Sequence, residues 1–144
     1  MSQKYEIIVF TASEEGYADP IIDSIDPEGA YISHRFYRHH CIEVDHNLYI
    51  KDLRVLGQRP QDKTCIVDNA IHSYFMNLKN GIPVIPFMQD RNDDQLPKLA
   101  DFLMAVDCQN DIRTVIDKHF NYDAFMSAED PKAFLGQIEQ PRYL

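Results

Sequence analysis

The sequence predicts an α/β domain with a mostly parallel sheet and flanking helices, and three observations lead to that prediction. Short apolar runs rich in β-branched residues alternate with segments of helical periodicity. The first run, residues 5–10, ends in four consecutive apolar residues, as strands covered on both faces do. The linking segments are short and rich in turn-forming residues. Together these features are typical of helices that cover a parallel sheet.

In the first half of the chain, the pattern predicts a strand, a helix, a second strand and a hairpin. The helix follows the first strand, because residues 11–13 offer a hydroxyl N-cap, and it is expected to reach about Ser24. Pro20 lacks a backbone donor, so we expect a bend or a delayed start there. Asp45-His46-Asn47 predicts the turn of the hairpin. The strands expected in this half are residues 5–10, 30–37, 41–44 and 48–50.

In the second half of the chain, the pattern predicts two short strands and two longer helices. Apolar residues recur at helical spacing over residues 96–106, in a helix that starts near Gln95, and again over residues 112–120. The expected strands are residues 64–67 and 82–86, and a short helical piece over residues 52–56 closes at Gly57.

The last residues lack this periodicity. Beyond Asn121 the pattern weakens, and Pro131 and Pro141 interrupt the remaining stretch. We therefore expect one domain over residues 1–120 and a C-terminal tail over residues 121–144 that lies on a surface or on a partner.

Composition limits the classes of function. The chain of 144 residues is long enough for one globular domain. Its net charge of −9, from 14 basic and 23 acidic residues, disfavours binding to nucleic acid or to an anionic membrane. No apolar run approaches the roughly 18 residues of a membrane helix, so no membrane insertion is expected. Cys41, Cys65 and Cys108 are odd in number and widely spaced, which predicts reduced, buried thiols without a disulfide or a zinc site.

Polar residues at the ends of the predicted strands suggest a site. Thr11 ends the first strand and Asp68-Asn69 ends a later one, and in parallel sheets such ends line one crevice. Lys51 follows the hairpin and can reach the same crevice. A hydroxyl with loop amides can bind phosphate, a lysine can neutralise its charge, and a carboxylate can hold Mg²⁺. Taken singly, such residues are more commonly an N-cap, a solvated charge or a turn.

Three stretches in a fixed order carry a family resemblance. They are residues 8–13, 49–53 and 66–69, and the Tyr-Ala-Asp-Pro stretch at residues 17–20 supports them. In that order they resemble motifs two, three and four of the haloacid-dehalogenase-type (HAD-like) aspartate phosphatases. The resemblance is strongest to the small CTD phosphatase and NLI-interacting-factor group, and it covers residues 4–120.

The resemblance implies a HAD-like, Rossmannoid fold and the Mg²⁺-dependent hydrolysis of phosphoserine or phosphothreonine in proteins. It implies that Thr11 and Lys51 bind the phosphate and that Asp68 binds the metal. Asn69 falls on the Asn that follows this Asp in the family. Arg38 falls on the Arg of the family's Tyr-Arg-x-x-Cys stretch, so that Asn69 and Arg38 are expected to support the site.

Two departures from the family pattern bear on activity. Motif one is an Asp-x-Asp that supplies the nucleophile and the general acid, and no Asp-x-Asp occurs in the 144 residues. Its strand would precede residue 1, so we expect an N-terminally incomplete fold that is catalytically inactive as given, with doubtful Mg²⁺ binding. Motif four continues as Ala70-Ile71 where the family has Ser-Pro.

A missing central strand would open the edges of the first strand and of residues 64–67 to another chain. A protein partner that completes the sheet or forms a complex is therefore expected. The chain is then a fragment, half of a split protein, a subunit completed by its partner, or a repacked sheet. The rival function is non-catalytic binding or scaffolding in a larger complex, as in the import receptor of the mitochondrial TIM translocase. Reduced cysteines favour a reducing, intracellular compartment, with nucleus or cytoplasm preferred to the mitochondrion.

Overall fold

The structure is a computed structural model, and it describes residues 1–45 and 48–127. The chain divides into two compact units, the first over Met1–Val55 and the second from Leu56 onward. Each unit has its own strands and helices. No helix among the described residues is long and apolar enough to cross a membrane.

The first unit contains the predicted strand, helix, strand and hairpin. Strands β1 and β2 pair in parallel, and strands β3 and β4 pair antiparallel, so the predicted order of elements is confirmed. Of the hairpin turn, residues 46 and 47 lie outside the described residues. The elements are β1 (Ile7–Phe10), α1 (Glu15–Ile25), β2 (Ile32–Phe36), β3 (Ile42–Asp45) and β4 (Leu48–Ile50), with 3₁₀ turns at Arg38–His40 and Leu53–Leu56.

Helix α1 differs from its prediction at the start. The helix begins at Glu15, so the delayed start at Pro20 is wrong, and Pro20 lies inside the helix. The N-cap is Glu14, which makes no side-chain capping bond, and the hydroxyl cap predicted within residues 11–13 is wrong as well. The hydroxyls of that stretch belong to the loop that joins β1 to α1.

The core of the first unit lies between α1 and the β1–β2 pair. Ala18 and Ile22, four residues apart and hence on one face of the helix, are buried with Tyr37. Val9 and Ile32, one from each strand, pack against this cluster. The helix is therefore fixed to the strand pair through its apolar face.

Up to residue 127, where the described residues end, the second unit contains one parallel strand pair and three helices. Strands β5 and β6 pair with Ile66 opposite Gly81 and Asp68 opposite Pro83. The elements are β5 (Ile66–Asp68), β6 (Gly81–Pro83), α2 (Gln95–Val106), α3 (Ile112–Phe120) and α4 (Tyr122–Ser127), with 3₁₀ segments at Gln61–Lys63 and Ile71–Asn80.

Several predictions for the second unit need correction. Strand β6 ends at Pro83, short of the predicted residue 86. The 3₁₀ segment Ile71–Asn80 was not predicted, because its apolar residues follow no single helical period across the non-helical φ/ψ at Tyr74 and Asn77. The predicted tail contains α4, and the Tyr122 side chain is fully buried. Pro131 and Pro141 lie outside the described residues.

Buried aromatic and aliphatic side chains form the core of the second unit. Its largest fully buried members are Tyr74, Tyr122, Ile82, Ile116 and Val106. The Tyr122 hydroxyl donates to the Gly81 carbonyl oxygen at 3.0 Å and lies 3.3 Å from the Tyr74 hydroxyl. The phenol oxygens are thus hydrogen-bonded inside an apolar core, as buried tyrosines require.

The described strands form three two-stranded ladders, two parallel and one antiparallel, where the sequence predicted a mostly parallel sheet. In the described parts of the two units, β1 pairs only with β2, and β5 only with β6. The three cysteines are free, as predicted, but Cys108 is exposed, so its predicted burial is wrong. Desolvation raises the pKa of the half-buried Cys65 thiol to about 11.

Candidate functional site

Thr11 occupies the carboxyl end of β1. Its backbone N–H donates to the Phe36 carbonyl oxygen at 2.9 Å, which extends the pairing of β1 with β2 by one residue. Its side-chain Oγ1 accepts the Ser13 backbone N–H at 3.1 Å. This contact curls the chain directly after the strand. Such a turn can bind an anion.

Arg38 holds this loop in place with three bonds. Its backbone N–H donates to the Ser13 carbonyl oxygen at 3.0 Å, and its Nε donates to the Ala12 carbonyl oxygen at 2.7 Å. Its Nη1 pairs with Glu14 Oε1 at 2.9 Å. These bonds engage the carbonyl oxygens of two successive loop residues. Arg38 is therefore a positioning residue for the loop that follows Thr11.

The same guanidinium reaches the hairpin that carries Lys51. It lies 5.1 Å from the centre of the Tyr49 ring, within the range of a cation–π interaction. Tyr49 belongs to β4, and Lys51 follows that strand by one residue. Arg38 thus connects the Thr11 loop to β4, the strand that Lys51 follows.

The chain is also fixed just after Lys51. Asp52 is buried, and its carboxylate accepts the Arg54 backbone N–H at 2.9 Å and Arg54 Nε at 2.8 Å. The Arg54 side chain thereby holds the pKa of Asp52 below its usual value. Lys51, itself half-buried, sits between the buried Ile50 and this turn. The backbone is therefore held by burial of Ile50 before Lys51 and by the Asp52 hydrogen bonds after it.

A second polar network fixes α1 to β2, and its role was not predicted. Arg35 pairs with Asp19 at 2.9 Å and with Asp23 at 2.7 Å, and the Tyr37 hydroxyl also donates to Asp19. These bonds from Tyr37 and Arg35 lower the pKa of Asp19. Asp19 lies in the Tyr-Ala-Asp-Pro stretch that supported the family resemblance. Its partners are 16 and 18 residues away, so no local pattern indicates them.

Asp68 and Asn69 lie in the second unit, at the carboxyl end of β5. Asp68 is 9% exposed, and its Oδ1 accepts the Ala70 backbone N–H at 2.8 Å. Its carbonyl oxygen accepts the Val84 N–H at 3.3 Å, next to the β5–β6 ladder. The Asn69 side chain is exposed. The aspartate is therefore held by the backbone of its own turn.

The donor chemistry at Asp68 and Asn69 suits magnesium. No group of three or more His, Cys, Asp or Glu side chains within residues 1–45 and 48–127 is arranged so that it could hold a metal ion. A single carboxylate with a neighbouring amide oxygen is still a usual protein share of a Mg²⁺ shell, because this ion keeps waters and binds substrate phosphate oxygens. Asp68 and Asn69 are the residues that would hold it.

A family comparison identifies the domain. The family model described as NLI interacting factor-like phosphatase matches residues 1–113 of the chain. The chain belongs to this phosphatase family. The resemblance predicted from residues 8–13, 49–53 and 66–69 is thereby confirmed, and the match contains Thr11, Lys51 and Asp68.

Of three curated relatives, two are named as CTD small phosphatase-like proteins and one as a translocase subunit. CTD small phosphatase-like protein 3 of Caenorhabditis elegans is 47% identical over 106 residues, which are 74% of this chain and 36% of the relative. CTD small phosphatase-like protein 2 of Dictyostelium discoideum is 40% identical over 120 residues, 83% of this chain and 21% of the relative. Mitochondrial import inner membrane translocase subunit TIM50 of Candida glabrata is 35% identical over 123 residues, which are 84% of this chain and 25% of the relative. The NLI interacting factor-like chain thus spans about a fifth to a third of these relatives.

Proposed function

We propose that this chain is the phosphate-holding part of a CTD small phosphatase-like domain with a HAD-like fold, in a protein that hydrolyses phosphoserine or phosphothreonine in proteins. The observation that carries the proposal is the loop after Thr11, which Arg38 holds by the carbonyl oxygens of Ala12 and Ser13. A loop held in that way can present its amides, other than the one Ser13 donates to Thr11, to an anion without further ordering, and preorganised donors are what phosphoryl transfer needs.

Each residue of the proposed site has a distinct role. The Thr11 hydroxyl and the amides of its loop donate hydrogen bonds to phosphate oxygens. The Lys51 ammonium neutralises the charge that develops on those oxygens. Asp68, in the second unit and with Asn69 beside it, would hold Mg²⁺, which supplies charge neutralisation when bound. Arg38 acts on phosphate only through the loop, because its guanidinium is occupied by Ala12, Glu14 and Tyr49.

We further propose that the 144-residue chain by itself hydrolyses no phosphate ester. The family's nucleophile stands in an Asp-x-Asp, which the 144 residues do not contain. Without a carboxylate that attacks phosphorus, binding and charge neutralisation are all that the site can supply. A protein partner or a further chain segment that completes the sheet beside β1 or β5 is part of this proposal.

The alternative is a non-catalytic binding or scaffold subunit, as TIM50's name places that relative in a translocase. One observation favours it. Motif four continues as Ala70-Ile71, which lacks the family's Ser-Pro after Asn69. We propose a reducing, intracellular compartment for either function, because the three cysteines are free.

Calorimetric titration of the chain with inorganic phosphate, with and without Mg²⁺, tests the proposal. We expect measurable binding, weakened about tenfold by Thr11→Val or by Lys51→Met, because a hydrogen bond to a charged group contributes about 1.5–3 kcal/mol. Thr114→Val and Lys118→Met are matched controls, since both residues are exposed on α3 in the second unit.

A phosphoserine peptide incubated with the same samples measures turnover. No hydrolysis above background is expected from the wild-type chain. If the wild-type chain hydrolyses the peptide and Asp68→Ala abolishes that hydrolysis, the proposal that the chain is inactive is contradicted. Absence of phosphate binding at all concentrations would instead overturn the phosphate-holding role and favour the scaffold.

A further inference from the structure

Asn80-Gly81 is the single Asn-Gly dipeptide in the sequence. In such a dipeptide the glycine backbone nitrogen can attack the asparagine side-chain amide carbon with little steric hindrance, because glycine has no side chain. The attack forms a five-membered succinimide. Asn80 joins the 3₁₀ segment Ile71–Asn80 to β6, the strand that pairs with the strand bearing Asp68.

The fold protects both reacting groups of this dipeptide. Asn80 is 3% exposed, and its Nδ2 donates to the carbonyl oxygens of Gln61 and Thr64, both at 2.6 Å. Because both partners are acceptors, the nitrogen of the amide must face them. The Gly81 N–H, whose nitrogen is the nucleophile, donates to the Leu78 carbonyl oxygen. The leaving amide and the attacking nitrogen are therefore both hydrogen-bonded in the folded unit.

We propose that Asn80 is a deamidation site that the folded second unit protects and that its opening exposes. In the reaction the Gly81 nitrogen loses its proton to solvent base and bonds to Asn80 Cγ, and the Cγ–Nδ2 bond breaks to release ammonia. Water then adds to either carbonyl of the succinimide and leaves aspartate or isoaspartate at position 80. The step needs only water and involves no redox change.

The product does not fit the site that the asparagine occupied. A carboxylate at position 80 would face the carbonyl oxygens of Gln61 and Thr64 with no proton to donate. Isoaspartate would add a methylene to the backbone where Gly81 passes the buried Tyr74 ring. Each opening that ends in deamidation therefore leaves a β5–β6 pair that is destabilised when closed, and the chemistry limits how long the native pair at Asp68 persists.

Peptide mass spectrometry of the whole chain, incubated at mildly alkaline pH in buffer or in urea, measures the reaction directly. We expect Asn80 to deamidate at least about tenfold faster in urea, because reaction in buffer needs a rare opening. Asn69, Asn92 and Asn110 are exposed and serve as internal controls whose rates should differ little between the two conditions. Equal rates for Asn80 in buffer and in urea would overturn the proposal.

The effect of deamidation on the β5–β6 pair can be tested separately. Wild-type chain aged in urea and then diluted into buffer should regain hydrogen-exchange protection in β5 and β6 only in the fraction that retains Asn80. The variant Asn80→Asp should show a lower Tm than Asn110→Asp, or should fail to fold. An aged, deamidated chain that refolds with full protection, or an Asn80→Asp variant as stable as Asn110→Asp, would contradict the inference. Neither readout depends on phosphate binding.

Discussion

The loop after β1 and the β5–β6 pair are held by opposite means. The loop is held by Arg38, which is partly exposed and acts through hydrogen bonds, a surface ion pair and one aromatic ring. The β5–β6 pair is held by fully buried side chains, among them Tyr74, Tyr122 and Ile82. Buried packing contributes several times more free energy per residue than exposed polar contacts do. Substitutions in the second unit should therefore affect stability, and substitutions around the loop should affect phosphate binding.

The largest expected effect is that of Tyr122→Ala. Removal of this fully buried ring should lower the free energy of unfolding by about 3–5 kcal/mol, as large-to-small aromatic substitutions in cores do. Tyr122→Phe keeps the ring and loses the bond to the Gly81 carbonyl oxygen, at a cost of about 1 kcal/mol. Urea denaturation measures both. Met126→Ala, in the same helix but exposed, is the control. A Tyr122→Ala variant as stable as that control would show that α4 does not contribute to the stability of the core.

Gly81→Ala should come next. An added Cβ would lie 2.8 Å from Tyr74 Cζ and closer still to Cδ2 and Cε2 of that ring. The ring is fully buried and has no room to move, so the overpacking should cost about 2–3 kcal/mol. Gly16→Ala is the matched control, since nothing lies within 4 Å of its added Cβ and alanine favours the helix. Thermal unfolding of the two variants should therefore shift Tm in opposite directions.

Arg38→Met should affect stability less than either change and should affect the loop more. The lost hydrogen bonds and cation–π contact amount to about 1–2 kcal/mol. Hydrogen exchange at residues 12–14 should accelerate, and phosphate affinity should fall although Arg38 is not expected to contact phosphate. Arg113→Met, which removes a pair with Asp111 in the second unit, should leave both readouts unchanged. Unchanged hydrogen exchange at residues 12–14 in Arg38→Met would show that Arg38 does not hold the loop in place.

The smallest expected effect is a change in acid stability at the end of α1. Burial alone would raise the pKa of Asp26, but the amides of Ile32, Tyr31 and Ala30 donate to its carboxylate and hold its pKa below 3.8. A depressed pKa contributes stability above pH 3.8, and that contribution is lost as the pH falls through the folded-state pKa.

Asp26→Asn should therefore be less stable than wild type at pH 6 and should converge with it as the pH falls below the folded-state pKa of Asp26, as measured by urea titrations at a series of pH values. Asp101→Asn, at an exposed position of α2, should show no such convergence. A constant difference between Asp26→Asn and wild type at every pH would show that the carboxylate's charge has no role in this turn.

Local pattern predicted the elements that local forces form. Alternating and helical periodicity located β1, β2, the hairpin, α2 and α3 to within a few residues, because side-chain burial repeats every two or 3.6 residues. It also placed Thr11, Asp68 and Asn69 at strand ends, where the structure has them. Two elements were not predicted, the 3₁₀ segment Ile71–Asn80 and the short helix α4, because irregular backbone and short length give no regular hydrophobic period.

By itself, the sequence determined the family, the order of strands and helices, and the absence of an Asp-x-Asp, since each depends on residue identity and near neighbours. Only the tertiary structure decided which side chains hold those elements. Arg38 reaches a carbonyl 26 residues away and Tyr122 reaches one 41 residues away. Both bonds are made to backbone carbonyl oxygens, which every residue carries, so no residue pattern in the sequence could mark the partner in advance.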